Sequence, residues 1–331
     1  MPSFPDLSGH PVGFDVFMAA ALYGEQGFYT LGGEAGRRGD FITSPEVGPL
    51  FGVVLANWIQ AEFVRLGEPD DFTIVEAGAG PGTLARSILL AAPQWAGRYV
   101  AVEISVAQRA KHPDGVRSEA AMPTETFCGV VIANELLDNL PFRLAVYDGG
   151  WREAMVVVAA DGTAAEVLAA APADWAWLPT AVPHGARVPV QQSAREWVRA
   201  ASSLLTEGTV LAFDYCTATS WQLANMPWRE WLRTYRAQER GAHYLRDLGL
   251  QDITTQVCLD QLPEPTNVRS QAQFLQRWGV GELVEEGRAV WASAAGAPNL
   301  AALRMRSRIR ESESLLAPTG LGGFLAVEWS T

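Results

Sequence analysis

An amide and two carboxyl groups follow an apolar run in the segment VVIANELLDNLP, residues 130–141. The run is typical of a buried strand, so Asn134, Glu135 and Asp138 stand where that strand ends. Asn134 could cap a following helical turn, with Glu135 complementing the dipole of that turn. Alternatively, Glu135 and Asp138 lie three residues apart on a helical turn and face one target, and a guanidinium would match their geometry.

A glycine-rich segment, VEAGAGPGTL at 75–84, is the second stretch whose residue types indicate chemistry. Glu76 ends an apolar run, and three glycines follow at alternate positions: Gly78, Gly80 and Gly82. Glycine is needed where a backbone turns tightly and approaches a ligand, so the segment predicts a cofactor loop. A dinucleotide fingerprint, G-x-G-x-x-G, would need glycine at position 83, which is Thr83, and this disfavours a nicotinamide-dependent oxidoreductase.

Glu103 is a second acid that suits a nucleotide-containing cofactor. It ends the next predicted strand, YVAVE, 21 residues after Gly82. A carboxylate there can accept hydrogen bonds from both ribose hydroxyls. Because ligands of a doubly wound sheet bind beyond the carboxyl ends of its strands, the segment around Glu135 should reach the same crevice. That location favours a functional role for Glu135 over capping.

The elements that must position these residues begin near residue 72. Apolar runs without period-2 alternation are separated there by helix-length segments, which predicts a parallel sheet covered on both faces. Turn signals at Asp148-Gly149-Gly150 and Asp161-Gly162 predict an inserted antiparallel meander. We expect four regions: an N-terminal helical segment and active-site cover at 1–70, the first half of the core at 71–141, the meander at 142–190, and the second half with a helical insertion at 191–331.

The N-terminal region is predicted to be mostly helical over 11–66, with a polar, glycine-rich loop at 24–40 between two helices. The second helix should begin at Thr43, Ser44, Pro45 and Glu46. These residues supply a cap, a proline at the first helical position and an acid in the first turn.

Composition narrows the class of protein. The chain has 331 residues, of which 48% are apolar, and this is ample material for a core. A formal net charge of −12 argues against nucleic-acid binding, and the four scattered histidines predict no metal site. Only three cysteines occur, which suits a reducing compartment. No apolar run approaches the roughly 18 residues of a membrane span, and no leader pattern is present, so we expect a soluble, cytoplasmic protein without membrane contact.

Five segments occur in the order of one family: RGDFITSPEVGPLFG at 38–52, VEAGAGPGTL at 75–84, ANELLDNLP at 133–141, FDY at 213–215 and QDITTQV at 251–257. The chain resembles the MidA-like proteins, whose mitochondrial members are complex I assembly methyltransferases. The E-x-G-x-G-x-G form at 76–82 also resembles the first motif of class I S-adenosylmethionine-dependent methyltransferases. The resemblance implies an α/β fold with a Rossmann-like class I core, that is, a seven-stranded, mostly parallel sheet with an antiparallel last strand, an N-terminal helical cover and an inserted antiparallel β meander.

The resemblance also implies a cofactor, S-adenosyl-L-methionine, and a protein substrate with a basic target residue, an arginine. The implied cofactor-binding residues are Glu76, Gly78, Gly80, Gly82, Glu103, Asn134, Ser44, Pro45 and Glu46. The implied catalytic residues are Asn134, Glu135 and Asp138, which form the family's N-E-x-x-D signature.

The chain departs from the family mainly on the substrate side. Ala79 and Pro81 stand where the family usually has proline and then arginine, and Cys216 stands where a glycine usually follows the Asp-Tyr pair. The family's basic Tyr-Arg-x-His stretch is reduced to YRAQ at 235–238. Cofactor binding should survive these changes better than substrate identity. A methyltransferase for small molecules and a non-catalytic, cofactor-binding assembly factor are therefore alternatives.

Overall fold

A computed structural model describes the chain at residue 7 and at residues 9–30, 43–159, 161–236, 239–294, 296–297 and 299–331. The helices of this part are α1 (Phe14–Tyr23), α2 (Ser44–Val47), α3 (Leu50–Arg65), α4 (Thr83–Ala91), α5 (Val106–Arg109), α6 (Gln192–Ser203), α7 (Ser220–Ala224), α8 (Gln271–Arg277), α9 (Val280–Ala294) and α10 (Leu300–Leu315). The strands are β1 (Val12–Gly13), β2 (Thr73–Ala77), β3 (Tyr99–Val102), β4 (Val116–Glu119), β5 (Phe127–Asn134), β6 (Arg143–Tyr147), β7 (Trp151–Val158), β8 (Ala164–Ala170), β9 (Arg187–Val190), β10 (Leu205–Asp214), β11 (Cys216–Thr217), β12 (Arg233–Arg236), β13 (Glu239–Arg240), β14 (Asp252–Thr254), β15 (Val257–Cys258), β16 (Asn267–Ser270) and β17 (Leu325–Ser330). The predicted glycine-rich loop lies outside the described residues over 31–40, as do positions 237 and 238 of the YRAQ stretch.

The central sheet has seven strands in the order β16-β17-β10-β5-β2-β3-β4. Strands β10, β5, β2, β3 and β4 run parallel to one another. The last strand of the chain, β17, runs antiparallel to both of its neighbours. The alternation of apolar runs and helix-length segments thus predicted the α/β class of this fold.

Both faces of the sheet are covered, which explains why its strands are apolar throughout. On one face, Phe51 and Trp58 of α3 pack in a cluster with Ile74 and Ile132 of the sheet. On the other face, Val198 of α6 packs in a second cluster that includes sheet residues of β5 and β10. Strands buried on both sides gain from apolar residues at successive positions, so no period-2 pattern forms.

The predicted insertion is present as strands β6 to β9 of one antiparallel sheet, in which β6, β7 and β8 form a meander and β9 pairs with β6. Asp148 N–H donates to Gly150 O at 2.9 Å in the first predicted hairpin turn. The sheet also contains β1, which pairs with β7 and was not anticipated. Helix α1 packs its Phe14 and Phe17 against this sheet in a shared apolar cluster, and this packing fixes the residues that follow the helix.

The predicted helix beginning near Thr43 is two helices, α2 and α3, instead of one. Ser44 is the first helical residue and Pro45 the second, and the Thr43 side chain makes no capping bond to any described residue. The chain leaves helical geometry at Gly48, which is extended, and α3 starts anew after it. Glu311 of α10 accepts the N–H of Leu50 at 2.8 Å, so a distant carboxylate satisfies a donor of the first turn of α3.

Candidate functional site

The carboxyl ends of β2, β3 and β5 open into one cavity of about 510 Å³. The structure brings most of the predicted site residues to its wall: Pro45, Glu46, Glu76, Gly78, Gly80, Glu103, Asn134 and Glu135. Three predicted residues lie outside the lining: Ser44, Gly82 and Asp138. Ser44 is fully buried, and its hydroxyl donates to Gln271 Oε1 at 2.8 Å, so its side chain serves packing against α8.

The three loop glycines have left-handed backbones, with φ of 69° at Gly78, 51° at Gly80 and 75° at Gly82. They differ in what a Cβ atom would meet. At Gly82 it would lie 2.9 Å from Pro113 Cδ, so this glycine permits close packing of the protein. At Gly80 it would meet no described atom within 4 Å, because this residue faces the cavity. Gly80 is therefore the glycine whose missing side chain leaves space for a ligand.

Glu103, which directly follows β3, links the end of that strand to the glycine loop through a hydrogen bond. Its Oε2 accepts the N–H of Gly80 at 2.9 Å, and its Oε1 accepts the N–H of Ser105 at 2.8 Å. A carboxylate offers about four lone-pair sites, so each oxygen keeps capacity for a further donor from the cavity. The loop is also held from behind, where His112 Nε2 lies 2.9 Å from Gly80 O. Glu103 thus combines a rigid position with free acceptor sites.

Glu76 is buried at the carboxyl end of β2. The hydroxyl of Tyr99 donates to its Oε2 at 2.7 Å. Burial disfavours the ionised form and raises the pKa of Glu76 to about 8, although the Tyr99 bond opposes the rise. A cation in the cavity would favour the ionised form, so this carboxyl is suited to meet positive charge.

Glu135 follows β5 with φ of 51°, a left-handed conformation that is uncommon for residues with a Cβ atom. Its N–H donates to Phe213 O at 2.8 Å. Burial, followed by the charge of Asp138, raises the pKa of Glu135 to about 8, while bonds to Asn134, the Ser44 backbone and Tyr215 oppose the rise. The prediction that Glu135 and Asp138 share one helical turn is wrong, because the short 3-10 turn spans only Leu137–Asn139.

Asn134 does not cap a helix in the described part of the chain. Its Nδ2 donates to Glu135 Oε1 at 3.2 Å. Its Oδ1 is buried, lies beside the cavity and has no hydrogen-bond partner among the described residues. A buried acceptor without a partner is costly, so this oxygen indicates a donor that arrives with a ligand.

Asp138 is buried beside the cavity instead of facing into it with Glu135. Thr254 Oγ1 donates to its Oδ2, while its Oδ1 has no partner among the described residues. Burial raises the pKa of Asp138 to about 6, against the effect of the Thr254 bond. The side chains of Glu135 and Asp138 therefore do not form the single paired surface that the sequence predicted.

Asp214 is a site residue that the sequence analysis did not select. Its Oδ2 accepts the N–H of Leu137 at 2.9 Å and that of Asp138 at 3.3 Å, which fixes the turn after Glu135. A signal was present, because Asp214 is the last residue of β10 and Glu76 is the last but one of β2. An acid at the carboxyl end of a parallel strand pointed to the same edge of the sheet.

Two tyrosines of the cavity wall were also missed. Tyr23 ends α1 and Tyr29 follows six residues later, and both line the cavity. Their hydroxyls donate to groups of Asn139 and Asp252, which are distant in sequence. No local pattern predicts contacts of this kind.

The ionisable carboxyl groups of the described cavity wall are not matched by basic residues. Four glutamates line it, Glu46, Glu76, Glu103 and Glu135, while the described lining residues include no lysine, arginine or histidine. Such a wall complements a cationic ligand and opposes an anionic one. Within the described residues, no cluster of three or more His, Cys, Asp or Glu side chains could hold a metal, and no helix is long and apolar enough to cross a membrane.

Comparison with known proteins identifies the family. A family model described as "Putative S-adenosyl-L-methionine-dependent methyltransferase" matches residues 54–276. The chain belongs to this family of S-adenosyl-L-methionine-dependent methyltransferases, and its cofactor is S-adenosyl-L-methionine. The MidA-like resemblance and the cofactor prediction are thereby confirmed.

Curated relatives carry a more specific name. The Drosophila melanogaster homologue of the mitochondrial protein arginine methyltransferase NDUFAF7 is 29% identical over 194 residues, which is 48% of this chain and 44% of that protein. The Mus musculus NDUFAF7 protein is 42% identical over 64 residues, 19% of this chain and 15% of that protein. The matches thus span less than half the length of these relatives.

Solved structures share the fold. A Burkholderia thailandensis protein bound to S-adenosyl-homocysteine superposes with a TM-score of 0.83 at 24% identity, over 97% of this chain and 88% of that one. A native crystal structure from the same organism gives a TM-score of 0.80 at 24% identity, over 97% and 87% of the two chains. At this identity the similarity is one of fold.

Proposed function

We propose that the chain transfers a methyl group from S-adenosyl-L-methionine to an arginine side chain of a protein. One observation carries the proposal: a single cavity joins the open face of Gly80 and the carboxylate of Glu103 to the carboxyl of Glu135, with no basic residue in its described lining. The names of the curated relatives favour an arginine target. The acidic wall favours a cationic acceptor because negative charge attracts a guanidinium as it attracts the positively charged sulfur of the cofactor.

The residues present fit the cofactor. Glu103 would accept the ribose hydroxyls through the lone pairs that Gly80 and Ser105 leave free. The missing Cβ of Gly80 leaves the space in which the cofactor would approach the loop. The unpartnered Oδ1 of Asn134 would accept an N–H of its amino group. When bound, the cofactor supplies an electrophilic methyl group on a positively charged sulfur.

Glu135 would act on the acceptor. In the free protein its raised pKa of about 8 keeps it mostly protonated at neutral pH. Positive charge beside it, on the cofactor or on a guanidinium, favours the ionised form, which then orients the cationic acceptor through charge-assisted hydrogen bonds. The same carboxylate would take the proton that the attacking nitrogen loses as its bond to the methyl carbon forms and the bond from that carbon to sulfur breaks, with S-adenosylhomocysteine as the leaving group. Asp138, held by Thr254 and Asp214, would position the turn that carries Glu135's neighbours.

A radiolabelled methyl-transfer assay on arginine-rich peptides and on proteins of a cell extract tests this proposal. Glu135→Gln keeps the size of the side chain and removes its charge, so kcat/KM should fall roughly a hundredfold. Binding of S-adenosylhomocysteine should change little. The matched control is Glu264→Gln, since Glu264 is exposed and does not line the cavity.

Two outcomes would contradict the proposal in different ways. Full activity of Glu135→Gln would remove Glu135 from the reaction. Tight binding of S-adenosylhomocysteine without any labelled protein product would favour a small-molecule acceptor or a non-catalytic, cofactor-binding assembly role.

A further inference from the structure

Tyr23 and Tyr29 form a stacked pair in the cavity wall. Their ring centroids lie 5.6 Å apart with an angle of 15° between the ring planes. Both rings line the cavity that also holds Glu135 and Asn139. Neither tyrosine is accounted for by cofactor binding through the glycine loop and Glu103.

The hydroxyl protons of both tyrosines are committed to the protein. Tyr23 donates to Asn139 O at 3.0 Å. The single hydroxyl proton of Tyr29 is shared between two acceptors, Asn139 Oδ1 and Asp252 Oδ1, each 3.1 Å from the phenol oxygen. The amide of Asn139 is itself fixed, because its Nδ2 donates to Asp252 Oδ1 at 3.0 Å and to Ile253 O at 3.1 Å. The phenol oxygens can therefore offer only lone pairs to a ligand.

The remaining hydrogen-bonding capacity of this wall is that of an acceptor. It consists of the two phenol oxygens and of the carboxyl of Glu135 once a nearby cation has ionised it. A ligand that satisfies it must bring N–H donors and benefits from positive charge. A guanidinium does so with donors in its plane, and its flat face can lie against a tyrosine ring. An ammonium has a charge and donors but no flat face.

We infer that Tyr23 and Tyr29 form the recognition wall for the methyl acceptor and select a guanidinium over an ammonium. Asn139 and Asp252 are positioning residues, because they fix the direction of both phenol hydroxyls. This inference rests on the proposed function and adds to it the residues that choose the acceptor. It assigns α1 and the turn after it a direct part in specificity.

The test measures binding of N-acetyl-arginine amide and N-acetyl-lysine amide to the protein saturated with S-adenosylhomocysteine, by calorimetry. The unaltered protein should bind the arginine probe more tightly. Tyr29→Leu removes the ring face, and it should weaken the arginine probe about tenfold while leaving the affinity for S-adenosylhomocysteine unchanged. Tyr29→Phe keeps the ring and removes the hydroxyl, so it should lose less affinity.

Three comparisons make the test specific. Tyr147→Phe is the matched control, because Tyr147 lies on β6 and does not line the cavity, and it should leave both probes unaffected. Asp252→Asn should reduce the preference for arginine over lysine, a readout that general loss of packing would not move selectively. Tyr23→Phe and Tyr29→Phe, checked by thermal melts, keep the test valid if Tyr29→Leu does not fold.

The inference is overturned if the unaltered protein binds both probes equally, or neither of them. It is also overturned if the tyrosine variants bind the arginine probe normally, or if they lose S-adenosylhomocysteine to the same degree, which would assign the rings to the cofactor. Failure of the proposed function is distinguishable. In that case no peptide is methylated, while the arginine probe still binds in a manner that depends on Tyr29.

Discussion

Cofactor binding should release protons from the cavity wall. Glu76 and Glu135 each have a pKa raised to about 8 by burial. At pH 7 a carboxyl of that pKa is roughly nine-tenths protonated. A cation placed beside such a carboxyl lowers its pKa by about two units, which leaves it roughly one-tenth protonated. Each glutamate then releases about 0.8 proton, and both together release up to about 1.6.

The sign of the pH dependence follows from this release. Protons leave when the cation binds, so the affinity for S-adenosyl-L-methionine should rise with pH between about 6 and 8. Glu135→Gln and Glu76→Gln should each remove about half of the released protons, since a carboxamide does not titrate. Glu264→Gln should remove none.

Calorimetric titration at pH 7 in phosphate and in Tris measures the release directly, because the two buffers differ in their heat of protonation. The apparent binding enthalpy should differ between the buffers by the number of released protons multiplied by that difference. Equal enthalpies in both buffers would refute the reasoning, as would an unchanged release in both glutamine variants. Either result would mean that the two carboxyls do not meet positive charge in the complex.

Two further variants test the loop and the wall. Gly80→Val adds a side chain at a left-handed residue that faces the cavity, so calorimetry should show that binding of S-adenosylhomocysteine is lost. The control is Gly149→Val, which carries similar backbone strain because Gly149 has φ of 69°. Gly149 lies in open space on a hairpin turn, so this variant should bind normally. Normal binding by Gly80→Val would place the cofactor elsewhere. Thr254→Val removes the hydroxyl that donates to buried Asp138 and should cost about 1–3 kcal/mol in the free energy of unfolding by denaturant. Thr163→Val removes a similar bond on the surface, and an equal loss there would contradict the argument from burial.

The sequence predicted the elements that are buried on both faces and the acids that end them. Strands β2, β3 and β5 consist of apolar runs, and Glu76 and Glu103 mark where two of those runs stop. Strand β4 was missed because it is an edge strand with the polar sequence VRSE, which carries no apolar signal. Its position is set by pairing with β3, and a short pattern cannot show that.

The rest of the site depends on contacts between distant residues. Tyr29 and Asp252 are 223 positions apart, yet they share a hydrogen bond in the wall of the cavity. The family segment QDITTQV contains β14, which pairs with β12 in a small sheet separate from the central one. Its contribution to the site, through Asp252 and Thr254, follows from tertiary packing that the local sequence does not encode.

The left-handed backbone of Glu135 makes the stability of the fold and the chemistry of the site favour different residues at this position. A residue with a Cβ atom in this conformation costs about 1–2 kcal/mol, and glycine would adopt it without that cost. Replacing Glu135 by glycine would also remove a carboxyl whose partial desolvation raises its pKa to about 8. A selection that rewards heat resistance alone should therefore enrich glycine at position 135, and the stabilised proteins it returns would have lost the carboxyl that we propose acts on the methyl acceptor.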